Sequence, residues 1–205
     1  MNALIIVDLQ NDFCPSGALA VPQGDVIIPI INALRPNFDL VVATQDWHPP
    51  DHGSFAANHP GKKIGEAIDL NGLPQILWPT HCVQETRGAE LVATLDRTRI
   101  ERIFQKGTDP AIDSYSGFFD NGHRKSTGLG DYLRAQSISR AYVCGLATDY
   151  CVKFTALDSR ELGFATFFIE DASRGVNVSP GDVALSVEEM RAAGVQIITS
   201  EEVSG

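Results

Sequence analysis

The sequence predicts an α/β fold: one three-layer α/β/α domain with Rossmann-like layering around a six-stranded, mainly parallel sheet. Three observations lead there. Continuous apolar runs such as Leu4-Ile5-Ile6-Val7 read as strands covered on both faces. These runs alternate with stretches of helical period, which implies parallel strands joined by right-handed crossovers. The 205 residues, 43% of them hydrophobic, suit one large domain over 1–205 with a full core.

Taken in order, Ala3 to Val7 is the first strand and stops at Asp8. Gly24 to Leu34 carries apolar residues at helical spacing (Val26, Ile27, Ile30, Ile31, Leu34) and ends before Pro36. Asp39 to Thr44 is the second strand. The segment from Gly53 to about Gly88 shows little periodicity and reads as a long loop, a feature usually tied to function. Ala89 to Leu95 is a short helix candidate. Ile100 to Gln105 is the third strand, ended by Lys106, and Thr108 to Gly122 a second long loop. Thr127 to Gln136 is a helix, Arg140 to Leu146 a buried strand, and Thr148 to Leu162 a helix with Cys151 in its first turn. Ala165 to Ile169, Pro180 to Ala193 and Val195 to Thr199 complete the pattern as strand, amphipathic helix and strand.

Composition narrows the partners. A formal net charge of −10 argues against nucleic acid or an anionic membrane surface. No apolar run reaches the length of a membrane span, and no basic leader opens the chain, so a cytoplasmic location is expected. The four cysteines, Cys14, Cys82, Cys144 and Cys151, show no C-x-x-C spacing and should be free thiols. No strand-to-helix junction carries G-x-G-x-x-G, so no dinucleotide site is implied.

Chemistry concentrates at strand ends. A thiol at a helix N-terminus, as Cys151 is placed, meets free backbone N–H groups and the positive end of the dipole. The same groups can hold an oxyanion. The plainer reading of Cys151 is a small core residue. A carboxylate at the end of a buried strand, as Asp8 is, sits where open α/β sheets place their ligands, although Asp more often caps a loop. After the second strand come Asp46 and His48, two apart in extended chain and so on one side. Asp plus two His suits Zn²⁺, Fe²⁺ or Mn²⁺ with water completing the shell. Spacing alone does not choose the two among His48, His52, His59 and His81.

Three strands thus end in Asp8, Lys106 and the turn before Cys151, and parallel strands share one C-terminal edge. An acid, an amine and a thiol there match a nucleophile, its base and a charge that stabilises the pair. The chain closely resembles the nicotinamidase/pyrazinamidase group of the isochorismatase-like cysteine hydrolase superfamily. The resemblance rests on Val7-Asp8-Leu9-Gln10-Asn11-Asp12-Phe13, Thr44-Gln45-Asp46-Trp47-His48-Pro49 and Trp78-Pro79-Thr80-His81-Cys82-Val83. Further along it takes in Lys106-Gly107, Asp113-Ser114-Tyr115-Ser116-Gly117-Phe118 and Gly145-Leu146-Ala147-Thr148-Asp149-Tyr150-Cys151-Val152.

What the resemblance implies is specific. The triad would be Cys151, Asp8 and Lys106, working through a thioester. The metal ligands would be Asp46, His48 and His81, around one divalent ion with Zn²⁺ favoured over Fe²⁺ or Mn²⁺. A cis peptide is implied at Leu146-Ala147, with the N–H groups of Ala147 and Cys151 as oxyanion hole. Phe13, Trp78 and Tyr115 match residues enclosing a substrate ring. Ser54 matches a position near the metal, and His52 is an extra ligand in some members and outside the shell in others. The implied partner is a small amide, nicotinamide, and its pyrazine analogue pyrazinamide, with a homo-oligomer left open. The implied role is NAD salvage. Isochorismatases lack the catalytic Cys and the metal pair. Carbamoyl-amide hydrolases keep the triad without the metal ligands and are the runner-up, and a silent metal-binding module is the reading from outside enzymes.

Overall fold

The computed structural model describes residues 1–203. In chain order the strands are β1 (Asn2–Val7), β2 (Leu40–Asp46), β3 (Ala67–Leu70), β4 (Leu73–Ile76), β5 (Ile100–Lys106), β6 (Arg140–Leu146), β7 (Ala165–Arg174) and β8 (Gln196–Ile198). The α-helices are α1 (Ile28–Leu34), α2 (Leu129–Ala135), α3 (Lys153–Glu161) and α4 (Asp182–Ala192). Six strands form the main sheet in the order β5-β2-β1-β6-β7-β8, every pair parallel. The expected six-stranded parallel sheet between helices is therefore present.

Strand β1 sits at the centre because it is apolar on both faces. Its residues alternate between two cores: Leu4 and Ile6 join Ile27, Ile31 and Leu34 on one side. Ala3, Ile5 and Val7 join Leu129, Leu133, Ala156, Val187 and Met190 on the other. This is the period-2 rule applied to a strand buried on both faces. Helices α2, α3 and α4 cover the second face, and α1 covers the first with irregular chain beside it.

Strand β7 runs on past Ile169 to Arg174, and three further elements differ from expectation. Helix α1 begins at Ile28, not Gly24, because Pro29 lacks an N–H and tolerates only the first turn of a helix. Ala89 to Leu95 is not a helix apart from a short 3-10 turn at Arg87–Ala89. Its backbone pairs instead with the chain leaving β1: Asn11 N–H donates to Glu90 O at 3.0 Å and Val92 N–H to Leu9 O at 3.0 Å. Leu91, Val92 and Leu95 still bury their side chains in the first core. The loop expected from Gly53 to Gly88 contains the antiparallel hairpin β3–β4. Asn71 and Gly72 close it with φ of 55° and 84°, and an Asn-Gly pair of that conformation is the strongest short-range hairpin signal.

The parallel arrangement brings strand ends together. Asp46, closing β2, is the register partner of Lys106, closing β5. On the other side of β2 runs β1, leading into Asp8, with Val7 opposite Gly145 of β6. A Cβ on Gly145 would overlap the Val7 carbonyl oxygen, and its φ is 116°, so only glycine lets these two strands approach there.

Candidate active site

Four strand ends assemble the reactive cluster. Lys106 Nζ is 2.5 Å from Asp46 Oδ1, 2.8 Å from Asp8 Oδ2, 2.9 Å from Ser114 O and 3.4 Å from Cys151 Sγ. Asp8 is itself fixed by Thr44, whose hydroxyl donates to Asp8 Oδ1 at 2.6 Å. Acceptor atoms of Asp8 and Asp46 and the Cys151 sulfur lie within 4.8 Å of one another. Leu146-Ala147 is cis. Beyond it the chain makes a wide turn (Thr148–Val152), in which Val152 N–H reaches back to Ala147 O at 3.1 Å, before α3 continues. Cys151 sits inside that turn, so the nucleophile candidate stands at a helix start as the sequence predicts.

Charge is unevenly shared. Burial opposes ionisation of Asp46, but Lys106 and His48 outweigh it and hold its carboxyl well below the usual carboxylate range. Burial also works against the Lys106 ammonium, yet Asp46, Asp8 and Cys151 around it keep it protonated far above the usual amine range. Asp8 moves the other way: burial raises it, and Lys106 only partly offsets this. The Cys151 thiol is likewise pushed up by burial, against the pull of Lys106 and with Asp8 and Asp46 adding to the rise. One ammonium among three acids thus leaves Asp8 and Cys151 holding their protons more tightly than usual. Lys106 lowers the thiol as its charge requires, but the net direction is upward.

The imidazoles are oriented by backbone carbonyls. His48 Nδ1–H donates to Gly107 O at 2.9 Å, and His81 Nδ1–H to Pro79 O at 2.7 Å. A carbonyl only accepts, so in its neutral form each ring turns an Nε2 lone pair toward Asp46. At His48, where burial is outweighed by Asp46 and the pKa is raised, a metal ion would displace a proton. Those nitrogens lie 3.5 and 3.8 Å from Asp46 Oδ2. Around a tetrahedral ion with bonds of about 2.1 Å, ligand atoms sit roughly 3.4 Å apart. The Asp46, His48 and His81 donors therefore fit one divalent ion. Burial and the neighbouring His48 push His81 down to about 4, which keeps its lone pair free. Gly107 is required for this arrangement: its φ is 62°, and a Cβ there would strike the His48 ring.

His52 is arranged differently. Its Nδ1 accepts the Ser54 N–H at 3.2 Å and pairs with Ser54 Oγ at 2.7 Å. An Nδ1 that accepts puts the proton of a neutral ring on Nε2, so His52 offers no second lone pair. That Nε2 is buried without a partner, and the ring lies 4.2 Å from the His48 ring. Ser54 is thus held against His52, whose ring packs on that of His48. His59, the remaining histidine of this stretch, donates its Nε2–H to Gly53 O at 2.7 Å and joins no donor cluster among the described residues.

A small cavity opens between sulfur and imidazoles. Phe13, Trp78, Tyr115, Asp46, His48, His81, Ala147 and Cys151 all line it, while Asp8 and Lys106 stand behind the sulfur with almost no exposure. Sequence reasoning assigned no role to four further lining residues: Asp113, Tyr150, Leu19 and Val176. Tyr150 packs edge-on against Trp78 with ring centroids 4.9 Å apart. The position of Asp113 at the head of the Asp113-to-Phe118 stretch, and of Tyr150 beside Cys151, could have drawn notice; Leu19 and Val176 carry no chemical signal.

The other thiols lack these surroundings. Burial raises Cys14 to about 11 and lifts Cys82 and Cys144 well above the usual thiol range. None of the three lies near Lys106 Nζ in the way Cys151 does, and all four cysteines are free.

Comparison with known proteins agrees with this geometry. Residues 2–202 match the family model described as Isochorismatase domain. A nicotinamidase of Escherichia coli strain K12 is 50% identical over 202 residues, covering 97% of this chain and 94% of the relative. A solved nicotinamidase/pyrazinamidase of Acinetobacter baumanii superposes with a TM-score of 0.96 at 46% identity, covering 99% of this chain and 98% of the other. A Pyrococcus horikoshii pyrazinamidase solved in complex with zinc superposes at 0.79 with 40% identity, covering 97% and 98%. By strand order, site geometry and these matches, the chain belongs to the isochorismatase domain family, in its nicotinamidase/pyrazinamidase group.

Proposed function

We propose that this protein is a metal-dependent cysteine amidohydrolase that converts nicotinamide to nicotinate and ammonia, and pyrazinamide to pyrazinoate, as a step of NAD salvage in the cytoplasm. The observation that carries the reading is the Cys151 sulfur on the cavity wall, 3.4 Å from Lys106 Nζ, with the Asp46, His48 and His81 donors lining the same cavity. No helix among the described residues is long and apolar enough to cross a membrane.

The chain's own residues divide the work. Asp8, held by Thr44 with its pKa raised by burial, takes the Cys151 proton as sulfur attacks the carboxamide carbon. Lys106 keeps its charge throughout and balances the anion that moves from Asp8 to sulfur. The C–S bond forms, the C–N bond breaks, and Asp8 returns its proton to the departing nitrogen, which leaves as ammonia. A water deprotonated by Asp8 then attacks the thioester, releasing the acid and restoring the thiol. The N–H groups of Ala147 and Cys151 are assigned to the developing oxyanion. Phe13, Trp78 and Tyr115 enclose the ring.

Asp46, His48 and His81 would hold one divalent ion, Zn²⁺ in preference to Fe²⁺ or Mn²⁺. Such an ion supplies a Lewis-acid contact for a heteroaromatic nitrogen. Three ligands from this chain would leave coordination positions open, as a ligand-binding site requires and a bracing site does not.

Ammonia release from nicotinamide, pyrazinamide, benzamide and a carbamoyl amide, with and without chelator, tests the reading. Turnover of the first two that chelation suppresses, with benzamide much poorer, supports it. Turnover of the carbamoyl amide that is indifferent to chelation favours the runner-up. Bound metal with no ammonia from any amide favours a silent module.

A further inference from the structure

The hairpin β3–β4 turns one fully buried side chain inward, and it is polar. Gln75 is 3% exposed. A buried primary amide is tolerated only where its N–H groups find acceptors. Gln75 Nε2 lies 2.7 Å from Ile76 O, 3.0 Å from Asp113 Oδ2 and 3.3 Å from Tyr115 Oη. The Ile76 carbonyl accepts only, so the amide nitrogen has to face it and the group cannot be reversed. Trp78 Nε1 donates to the same Tyr115 oxygen at 3.2 Å. The second Asp113 oxygen takes the Ser114 N–H at 2.7 Å.

Two segments therefore meet at one amide, the hairpin and the Asp113–Tyr115 loop, and Trp78 joins them through the Tyr115 hydroxyl. Trp78, Asp113 and Tyr115 line the cavity beside Cys151. Gln75 does not; it stands behind them, in a neighbouring cleft that shares Tyr115 and Tyr150 with the cavity. We propose that Gln75 is a positioning residue for substrate binding, holding the Tyr115 ring and hydroxyl and the Asp113 carboxylate at fixed places in the cavity wall. The proposal rests on the aromatic-amide reading for its choice of substrate.

Gln75 touches neither sulfur nor triad, so its effect falls on binding in ground and transition state alike. That signature is a raised KM with kcat preserved. A residue that merely braced the hairpin would lower the melting temperature and leave the KM of the folded enzyme unchanged.

The test compares Gln75→Leu, Tyr115→Phe and the double variant with nicotinamide as substrate. Loss of hydrogen bonds of this kind predicts a KM about tenfold higher in Gln75→Leu, with kcat within about twofold. The iodoacetamide alkylation rate of Cys151 and the bound metal should be unchanged. Because Gln75 acts partly through the Tyr115 hydroxyl, the double variant should raise KM by less than the product of the single effects. Gln75→Met serves where the Leu variant is unfolded at the assay temperature. A KM within twofold of wild type, a loss confined to kcat, or fully multiplicative effects would overturn the proposal alone. Wild-type protein that releases no ammonia from nicotinamide overturns the substrate reading, and this proposal with it.

Discussion

Asp46 and Lys106 are register partners at the ends of adjacent parallel strands, and their side chains meet at 2.5 Å. Asp46 uses Oδ1 for that contact and turns Oδ2 toward His48 and His81. One carboxylate therefore belongs to both halves of the site, and any change in it is felt by the sulfur as well as by the metal donors.

Asp46→Asn tests that sharing. Loss of the ligand charge should reduce bound metal in the purified protein by about tenfold or more. Asp46 also raises the Cys151 pKa, so its neutralisation should move the alkylation profile of Cys151 to lower pH. Metal analysis and iodoacetamide rate against pH are the two measurements. A variant that loses metal without moving the thiol profile would separate the two halves.

Lys106→Gln should move the same profile the opposite way. Lys106 is the cation that lowers the Cys151 pKa, against burial and two carboxylates that raise it. Without it the thiolate forms only at higher pH, and reactivity at neutral pH falls. An unmoved profile in a variant shown folded by circular dichroism would remove Lys106 from the site.

Cys151→Ala should cut turnover by at least about 10³-fold while leaving fold and metal content intact, as loss of a covalent nucleophile does. Replacing Cys14, Cys82 or Cys144 should change activity far less, because none has Lys106 beside its sulfur. Single-site alkylation mapped by peptide mass should find Cys151 first.

Much of this site is written in residues that interrupt apolar runs. Asp8, Asp46 and Lys106 each follow or close a strand, so a parallel sheet gathers them once the strands are recognised. The thiol was legible for the same reason, since its helix start follows β6. What stayed hidden lies where no period guides the eye. The β3–β4 hairpin has four-residue strands that are only half buried, and its Asn71-Gly72 turn was the readable sign. Gln75 is inward-facing because its partners come from 38 and 40 residues further along, a relation no local pattern contains. Ala89 to Leu95 reads as helical because its apolar spacing serves packing on the sheet, whereas its backbone finds partners in the chain after β1. The direction of the Cys151 pKa depended on how deeply the sulfur is buried, which sequence does not disclose.

Gly107→Ala should damage the metal donors from outside the ligand set. An added methyl group would strike the His48 ring, and alanine in left-handed backbone costs about 1–2 kcal/mol. Expected are a lower melting temperature and less bound metal, with Cys151 alkylation retained. Full metal content would mean that the His48 ring can shift without losing its place.

The histidines give the last test. As neutral rings, His48 and His81 present Nε2 lone pairs toward Asp46 because backbone carbonyls hold their Nδ1 protons. His52 has spent its lone pair on the Ser54 N–H, so the nitrogen nearest to acting as a further ligand carries a proton. For His52 to bind metal, either the ring must flip or the Ser54 contacts must break. Either change leaves a buried polar group to be satisfied elsewhere. His48→Ala and His81→Ala should therefore strip metal, by about tenfold or more in affinity for loss of a first ligand. His52→Ala should keep near-full occupancy and act instead through the loop that Ser54 and Asn58 help to hold, where Asn58 Nδ2 donates to His52 O at 2.9 Å. Metal-to-protein ratios measured after dialysis, for the three variants side by side, decide the matter. A His52→Ala protein as metal-poor as His48→Ala would show that the ring turns to face the ion when it binds, and would make His52 a ligand in this protein.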